Sequence, residues 1–521
     1  MSDTATGRRG GRRARNALRT APKPQAERPV RPGLKGGLYK PLKQDDVERI
    51  HETALRLCEE IGFAQAIPSM IELVTAAGGR YEDERLYFPR ALVQEAIASA
   101  PKSYIMYGQE DKHNLEVGGQ RVHMGTGGAA PMVIDFETGK YRPSTTADLY
   151  DIARLVDTLD NIHYYWRSVV ARDMPTAHDV DLNTTYACLS GTTKHIGVSY
   201  VDGESVYEAV RMMDMLLGGE GEFKKRPICS ISCCHVVPPM RFAEESCDAL
   251  EAAVRSGMPA TLLSAAQAGA TSPAALAGTI AQAVAETLAG LVFCYLIDPN
   301  CKINLGMWPF VSDLRTGAMS GGSAEQALLS AGCAQMFDYY DLPGSTASGM
   351  ADSKIPDAQA GSEKAYTLAL TAQAGATLIM ESAGMYGSLM GASFEGYVID
   401  NDMLGSIQRT VRGIEVSDDT LSFDVIKDVV KGEGHFLGHD QTISRMETDY
   451  FYPPIGDRNS PTDWEDAGGK DIRERAKEQT RNVMLSHFPS HISEELDQKL
   501  RENFKILLPR EAMRGGNKRW E

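Results

Sequence analysis

No apolar run follows the basic first residues of this chain, so a secretory signal is not expected. Those residues are rich in glycine and proline and carry little amphipathic pattern, which speaks against a transit peptide as well. An excess of positive charge is also missing. The 521 residues carry a formal net charge of -16, which argues against nucleic acid or an anionic membrane as a partner of the body. The charge is unevenly placed: residues 1–35 hold Arg8, Arg9, Arg12, Arg13, Arg15, Arg19, Lys23, Arg28, Arg31 and Lys35 against Asp3 and Glu27. A basic arm on an acidic body predicts that the arm clasps the body or a neighbouring subunit, hence a homo-oligomer. The nine cysteines are odd in number and sit mostly in apolar runs, as reduced thiols of a cytoplasmic protein do. Gln282 and Glu286 interrupt the longest apolar stretch, Ala274 to Ile297, so a core helix is expected there and not a membrane span.

Several sharp motifs are absent too. Gly125-Thr126-Gly127-Gly128 falls short of the GxGxxG spacing, and no acid lies at the expected distance, so it reads as a strand-end loop. Cys233, Cys234 and His235 are consecutive, and consecutive strand residues point to opposite faces, so no metal site is expected from them. His435 and His439 lie four apart in GHFLGH without the HExxH glutamate.

What is present is a long alternation. Residues 1–37 form the arm, and 38–120 read as a helical subdomain with short strands. From Arg121 to Arg412, short apolar runs alternate with helix-length amphipathic segments. Eight strands are predicted: Arg121 to Gly125, Ile162 to Ala171, His195 to Tyr200, Ile228 to His235, Ala260 to Ala265, Lys302 to Gly306, Leu342 to Thr346 and Thr377 to Glu381. A helix is predicted after each. Eight such units predict an α/β fold, a (β/α)8 TIM barrel with helical N-terminal and C-terminal additions, the latter over residues 413–521.

In a barrel, chemistry gathers where strands end. Those ends supply Arg172, Tyr200, His235, Gln267, Trp308, Phe310, Ser345, Asp352, Glu381 and Tyr386: several aromatics and lone acids, but no evident pair of nucleophile and base. Trp308, Tyr200 and Tyr386 beside a carboxylate suit a methylated cation, because aromatic faces attract a quaternary ammonium. Glu381 and Asp352 are assigned to electrostatic support, and His235, Gln267, Ser345 or Arg172 to the polar end of the ligand. Lys354 offers a Schiff-base lyase or aldolase as an alternative, although Asp352 and Asp357 beside it favour a salt-bridged ammonium. A non-catalytic betaine-binding protein is the other alternative.

Three regions carry a family resemblance: GRRGGRRARNALR at the start, ADSKIPDAQAGSEKAY at the seventh strand end, and GHFLGHDQTISRMETDYFYPPIGDRNSPTDWEDAGGKDIRERA near the close. With these the chain resembles the trimethylamine methyltransferase (MttB-like) superfamily. The resemblance implies a barrel that passes a methyl group from an amine to the Co(I) of a corrinoid (cobalamin), supplied by a partner protein or free, with no metal bound by the chain. Asp111-Lys112-His113 comes near the DxHxxG element of cobalamin-carrying domains, but Glu116 stands in place of the glycine, so the corrinoid is not expected in cis. Trimethylamine-using members carry pyrrolysine, whereas only standard residues occur here. That departure points to the pyrrolysine-free branch, which resembles glycine betaine methyltransferase, and to a quaternary amine as substrate.

Overall fold

The computed structural model describes residues 24, 28, 30–432, 434–516 and 519–520, so most of the basic arm lies outside the described residues. Eight parallel strands form the centre: β1 (Arg121–Met124), β2 (Tyr165–Trp166), β3 (Ile196–Val198), β4 (Cys229–Cys233), β5 (Ala260–Ser264), β6 (Ile303–Met307), β7 (Gly344–Ala347) and β8 (Leu378–Met380). Each pairs with the next, His123 opposes Leu378 to join β8 to β1, and a Gly125–Tyr164 bridge closes β1 onto β2. Thr126 completes that seam with its side chain, Oγ1 donating to the Trp166 carbonyl at 2.6 Å and accepting from the Trp166 amide at 2.9 Å. The sheet is a closed barrel, as the alternation predicts.

The helices behind the strands are α1 (Thr146–Asp157), α2 (Ala177–Gly191), α3 (Gly203–Leu217), α4 (Glu244–Arg255), α5 (Leu276–Ile297), α6 (Ala324–Tyr340), α7 (Ala358–Ala374) and α8 (Phe394–Arg412). Thr145, Thr176, Asp202, Ser323, Asp357 and Ser393 cap α1, α2, α3, α6, α7 and α8 by accepting the amide three residues on, which satisfies a donor the helix itself cannot. Helix α5 is the one described helix long and apolar enough to cross a membrane, yet 83% of its apolar window is buried in the protein. Its polar interruption is structural. Glu286 accepts hydrogen bonds from the Met240 amide, Ser264 Oγ and Gln282 Nε2 within the core.

Outside the barrel, helices Gln44–Arg56, Pro68–Ala76 and Arg90–Ser99 pack on α5, and Leu34–Lys35 adds antiparallel to β1. A three-stranded sheet of Phe63–Ala64, Arg80–Glu82 and Arg85–Tyr87 escapes sequence reading, because its strands are two or three residues long. Its turn uses Asp83 and Glu84, both at positive φ, instead of the usual glycine. Above the strand ends, Met132–Ile134 and Tyr141–Pro143 form a hairpin, joined by Met385–Tyr386 and Gly391–Ser393 into a four-stranded cover. Strand β2 is much shorter than the predicted Ile162 to Ala171, with ladder pairing at Tyr165 and Trp166. This shortening relocates one of the expected site residues.

Candidate active site at the barrel mouth

Side-chain alternation decides which residues face the barrel interior. On β4 and just beyond it, Cys233 Sγ meets the Ser246 carbonyl of α4 at 3.1 Å, and His235 Nε2 meets the Glu286 carbonyl of α5 at 2.9 Å. Both therefore face the helices, and Cys234 between them faces inward. Around β2, Tyr165 reaches outward to the Leu149 carbonyl, while Tyr164 crosses to the Ile379 carbonyl at 2.9 Å. Trp166 lies across Gly197: a Cβ there would stand 1.6 Å from the indole, so glycine at 197 is obligatory. The Trp166 Nε1 is buried without a partner. Trp308 is held on the opposite side by a 3.1 Å bond from its Nε1 to Ser345 Oγ.

Glu381 stands at the end of β8 in a left-handed conformation, φ 61°. It is buried, its Oε2 has no hydrogen-bond partner, and burial pushes its carboxyl up to about 8. The glycines of the Gly125–Gly128 loop make room for it. A Cβ at Gly128 would meet Leu389 at 2.9 Å, Met385 Sδ at 3.0 Å and Glu381 Oε1 at 3.4 Å. Arg167, the residue after β2, is half-buried, and its guanidinium makes no hydrogen bond or ion pair within the described residues. Desolvation lowers its pKa, partly offset by Asp181. Asp181 is pushed up to about 6 by its own burial, and its carboxylate takes the Val201 amide at 2.6 Å. Cys234 is exposed, yet burial raises its thiol pKa, with Arg167 lowering it and Glu381 raising it. A thiol that water reaches but does not fully solvate lies in a recess, and Arg167 and Glu381 are both within electrostatic reach of it.

The residues expected from strand ends divide accordingly. Trp308 and Ser345 come together at the ends of β6 and β7, Gln267 and Phe310 pair in a short parallel extension above β5 and β6, and Glu381 stands at the end of β8. Four others sit elsewhere. Tyr200 accepts from Thr185 of α2 at 3.3 Å and lies behind the strand, His235 faces α5, and Arg172 is exposed, reaching only the Pro131 carbonyl at 3.5 Å. The Tyr386 ring is already covered by the Lys364 ammonium, 4.5 Å from its centroid, which also pairs with buried Asp400 at 2.8 Å. Asp352 is not a free charge: it accepts from Ser320 Oγ at 2.6 Å, from the Gly322 amide at 3.4 Å and from Ser388 Oγ. Lys354 is exposed and donates to the Asp352 carbonyl at 2.6 Å, not to a carboxylate, so neither the Schiff base nor the expected salt bridge has its geometry. Among the described residues no group of three or more His, Cys, Asp or Glu is placed to hold a metal ion.

Arg167 and Trp166 were hidden from sequence reading inside the overlong second strand. Their signal was the positive charge and indole of Tyr164-Tyr165-Trp166-Arg167, unusual in a run expected to be apolar.

Residues 8–506 match the family model described as trimethylamine methyltransferase (MTTB). The chain is 34% identical over 451 residues to the trimethylamine methyltransferase MttB of Methanosarcina barkeri, covering 85% of this chain and 90% of that protein. It is 30% identical over 462 residues to the trimethylamine methyltransferase MttB of Desulfitobacterium hafniense, covering 88% and 92%. It is 29% identical over 464 residues to the glycine betaine methyltransferase of another strain of that organism, covering 89% and 96%.

Proposed function

The chain belongs to the trimethylamine methyltransferase family and is a methyltransferase, and we propose that its methyl donor is a betaine, a quaternary amine bearing a carboxylate, with the Co(I) of a corrinoid on a separate protein as acceptor. The observation that carries this reading is the buried Glu381, whose Oε2 has no partner, together with Arg167, whose guanidinium has no acceptor among the described residues, both within electrostatic reach of Cys234. A polar group shielded from water and left unpaired is costly, so a ligand whose cation ionises and pairs Glu381 and whose carboxylate pairs Arg167 gains from each.

A quaternary ammonium has no N–H to donate and is held by charge and by aromatic faces. Glu381 supplies the charge and Trp308, fixed edge-on by Ser345, a face. Arg167 offers its planar fork to the carboxylate. When the N–CH3 bond breaks, its electron pair stays on nitrogen and a neutral tertiary amine leaves, so no proton has to be delivered. The site has to hold, orient and dry the donor. The groups left without partners here match a small zwitterion; a corrinoid held by another protein would, when bound, supply the nucleophile.

The test is methylation of free Co(I) cobalamin, followed by its absorbance, with glycine betaine, carnitine, proline betaine, choline and trimethylamine side by side. The carboxylated quaternary amines should react and choline, lacking the carboxylate, should react least among the cations. Activity on trimethylamine alone would overturn the reading.

A further inference from the structure

The cover above the barrel contains a turn that its residues do not favour. Between Met385–Tyr386 and Gly391–Ser393 the chain reverses through Gly387, Ser388, Leu389 and Met390, the Met390 amide donating to the Gly387 carbonyl at 3.3 Å. Both central residues are left-handed, Ser388 at φ 50° and Leu389 at φ 72°, which makes this a type I′ turn. Such a turn is normally built from Asn-Gly, because most side chains are strained in that conformation. Among the described residues, Leu389 and Met240 are the only large apolar side chains at positive φ. A strained residue persists only where its surroundings hold it, and it points to a task for the side chain.

The surroundings do hold it. The Gly387 amide donates to the Ser353 carbonyl at 2.8 Å, the Ser388 amide to the Ala351 carbonyl at 2.9 Å, and Ser388 Oγ to the Asp352 carboxylate. With the turn pinned in this way to the loop after β7, Leu389 is half-buried while Met390 beside it is exposed. The place Leu389 reaches is marked by Gly128. A Cβ there would stand 2.9 Å from Leu389 Cδ2, 3.0 Å from Met385 Sδ and 3.4 Å from Glu381 Oε1. Three side chains thus converge on one point, a carboxyl oxygen facing a leucine methyl and a thioether. An N-methylated cation asks for that composition: charge for the nitrogen, and apolar contact for the methyl groups that surround it. Lengthening each methyl to an ethyl advances the surface of the cation by one carbon–carbon bond, about 1.5 Å. A close-packed wall yields little to such an advance.

We propose that Leu389 sets the size of the cation admitted beside Glu381, accepting N-methyl groups and excluding longer N-alkyl chains. This rests on the reading of Glu381 as the counter-charge of a quaternary amine and narrows its substrate class to compact trimethylammonium compounds. Glycine at 389 would relax the turn and leave the wall open. The test is calorimetric titration of the full chain near pH 8, where Glu381 ionises, with tetramethylammonium and tetraethylammonium. Neither probe carries a carboxylate, so Arg167 has no part in the outcome. Wild type should bind tetramethylammonium at least about tenfold more tightly, the discrimination a few added methylenes give in an apolar pocket. In Leu389→Gly the preference should shrink to about twofold or less, and Leu389→Asn should follow it. Both residues suit the left-handed turn position, so the fold is kept. Equal affinities in wild type overturn the proposal, as does a wild-type ratio kept in both variants or cation binding lost from both. Wild type that binds neither cation overturns the reading of Glu381 itself, and this inference with it.

Discussion

Glu381 is the residue whose chemistry is easiest to test by pH. In the folded chain it holds its proton up to about 8, while an unfolded glutamate releases it near 4.5. Between those values the native state binds a proton that the unfolded state has lost, so stability falls as pH rises through that window. Glu381→Gln should remove this slope, melting higher than wild type near pH 8 and alike below pH 4.5. A bound cation favours the ionised carboxyl, so wild-type affinity for a quaternary amine should rise toward pH 8 and level off, and the variant's should stay flat. Arg167→Met should raise KM for a carboxylated amine by roughly 10- to 100-fold, the worth of a charge-assisted hydrogen bond, and leave choline unchanged. Steady-state kinetics with both substrates separates the two. At this scale the sequence was half legible. Trp308, Ser345 and Glu381 follow from strand ends alone, but Tyr200 and His235 required knowing which residue of each strand begins the inward face. A shift of one position reverses that assignment.

The elements were far more legible than the residues. All eight strands and their helices follow from the switch between apolar runs and amphipathic periods, even β7, whose Gly344-Ser345-Thr346-Ala347 has almost no strand signal of its own. Its place is dictated by its neighbours: β6 and β8 both pair with it. What stayed hidden were pieces held by tertiary contact, namely the two-residue pairs above the mouth and the sheet turning at Asp83 and Glu84. Strand β3 also shows how one position is fixed by another element. Gly197→Ala drives a methyl group into the Trp166 indole, and should cost about 1–3 kcal/mol and disturb the mouth floor. Gly361→Ala near the start of α7 meets nothing within 4 Å and should be neutral or stabilise by up to about 1 kcal/mol. Thermal melting of the pair checks the contrast.

On the scale of the whole molecule, the chain works by returning to its own barrel. The C-terminal Trp520 packs against Phe136 of the mouth hairpin and Phe394 at the start of α8, with ring centroids 5.2 and 4.9 Å away, and its Nε1 donates to Asp151. No local pattern announces this closure, because it joins residues hundreds of positions apart. The same kind of long-range economy governs Asp352. One carboxylate receives Ser320, Gly322 and Ser388, which belong to the loops after β6 and β8, while Asp352 itself belongs to the loop after β7. The loops are also tied by backbone bonds, Gly387 to the Ser353 carbonyl at 2.8 Å and Ser388 to the Ala351 carbonyl at 2.9 Å, but the Asp352 carboxylate is the one acceptor that all three share. Hydrogen exchange in Asp352→Ala should therefore rise together at residues 320–322, 351–353 and 387–389, and exchange confined to one loop would refute the coupling. A single carboxylate thus sets the relative positions of three loops that border the barrel mouth, so a change in any one of them is felt by the other two.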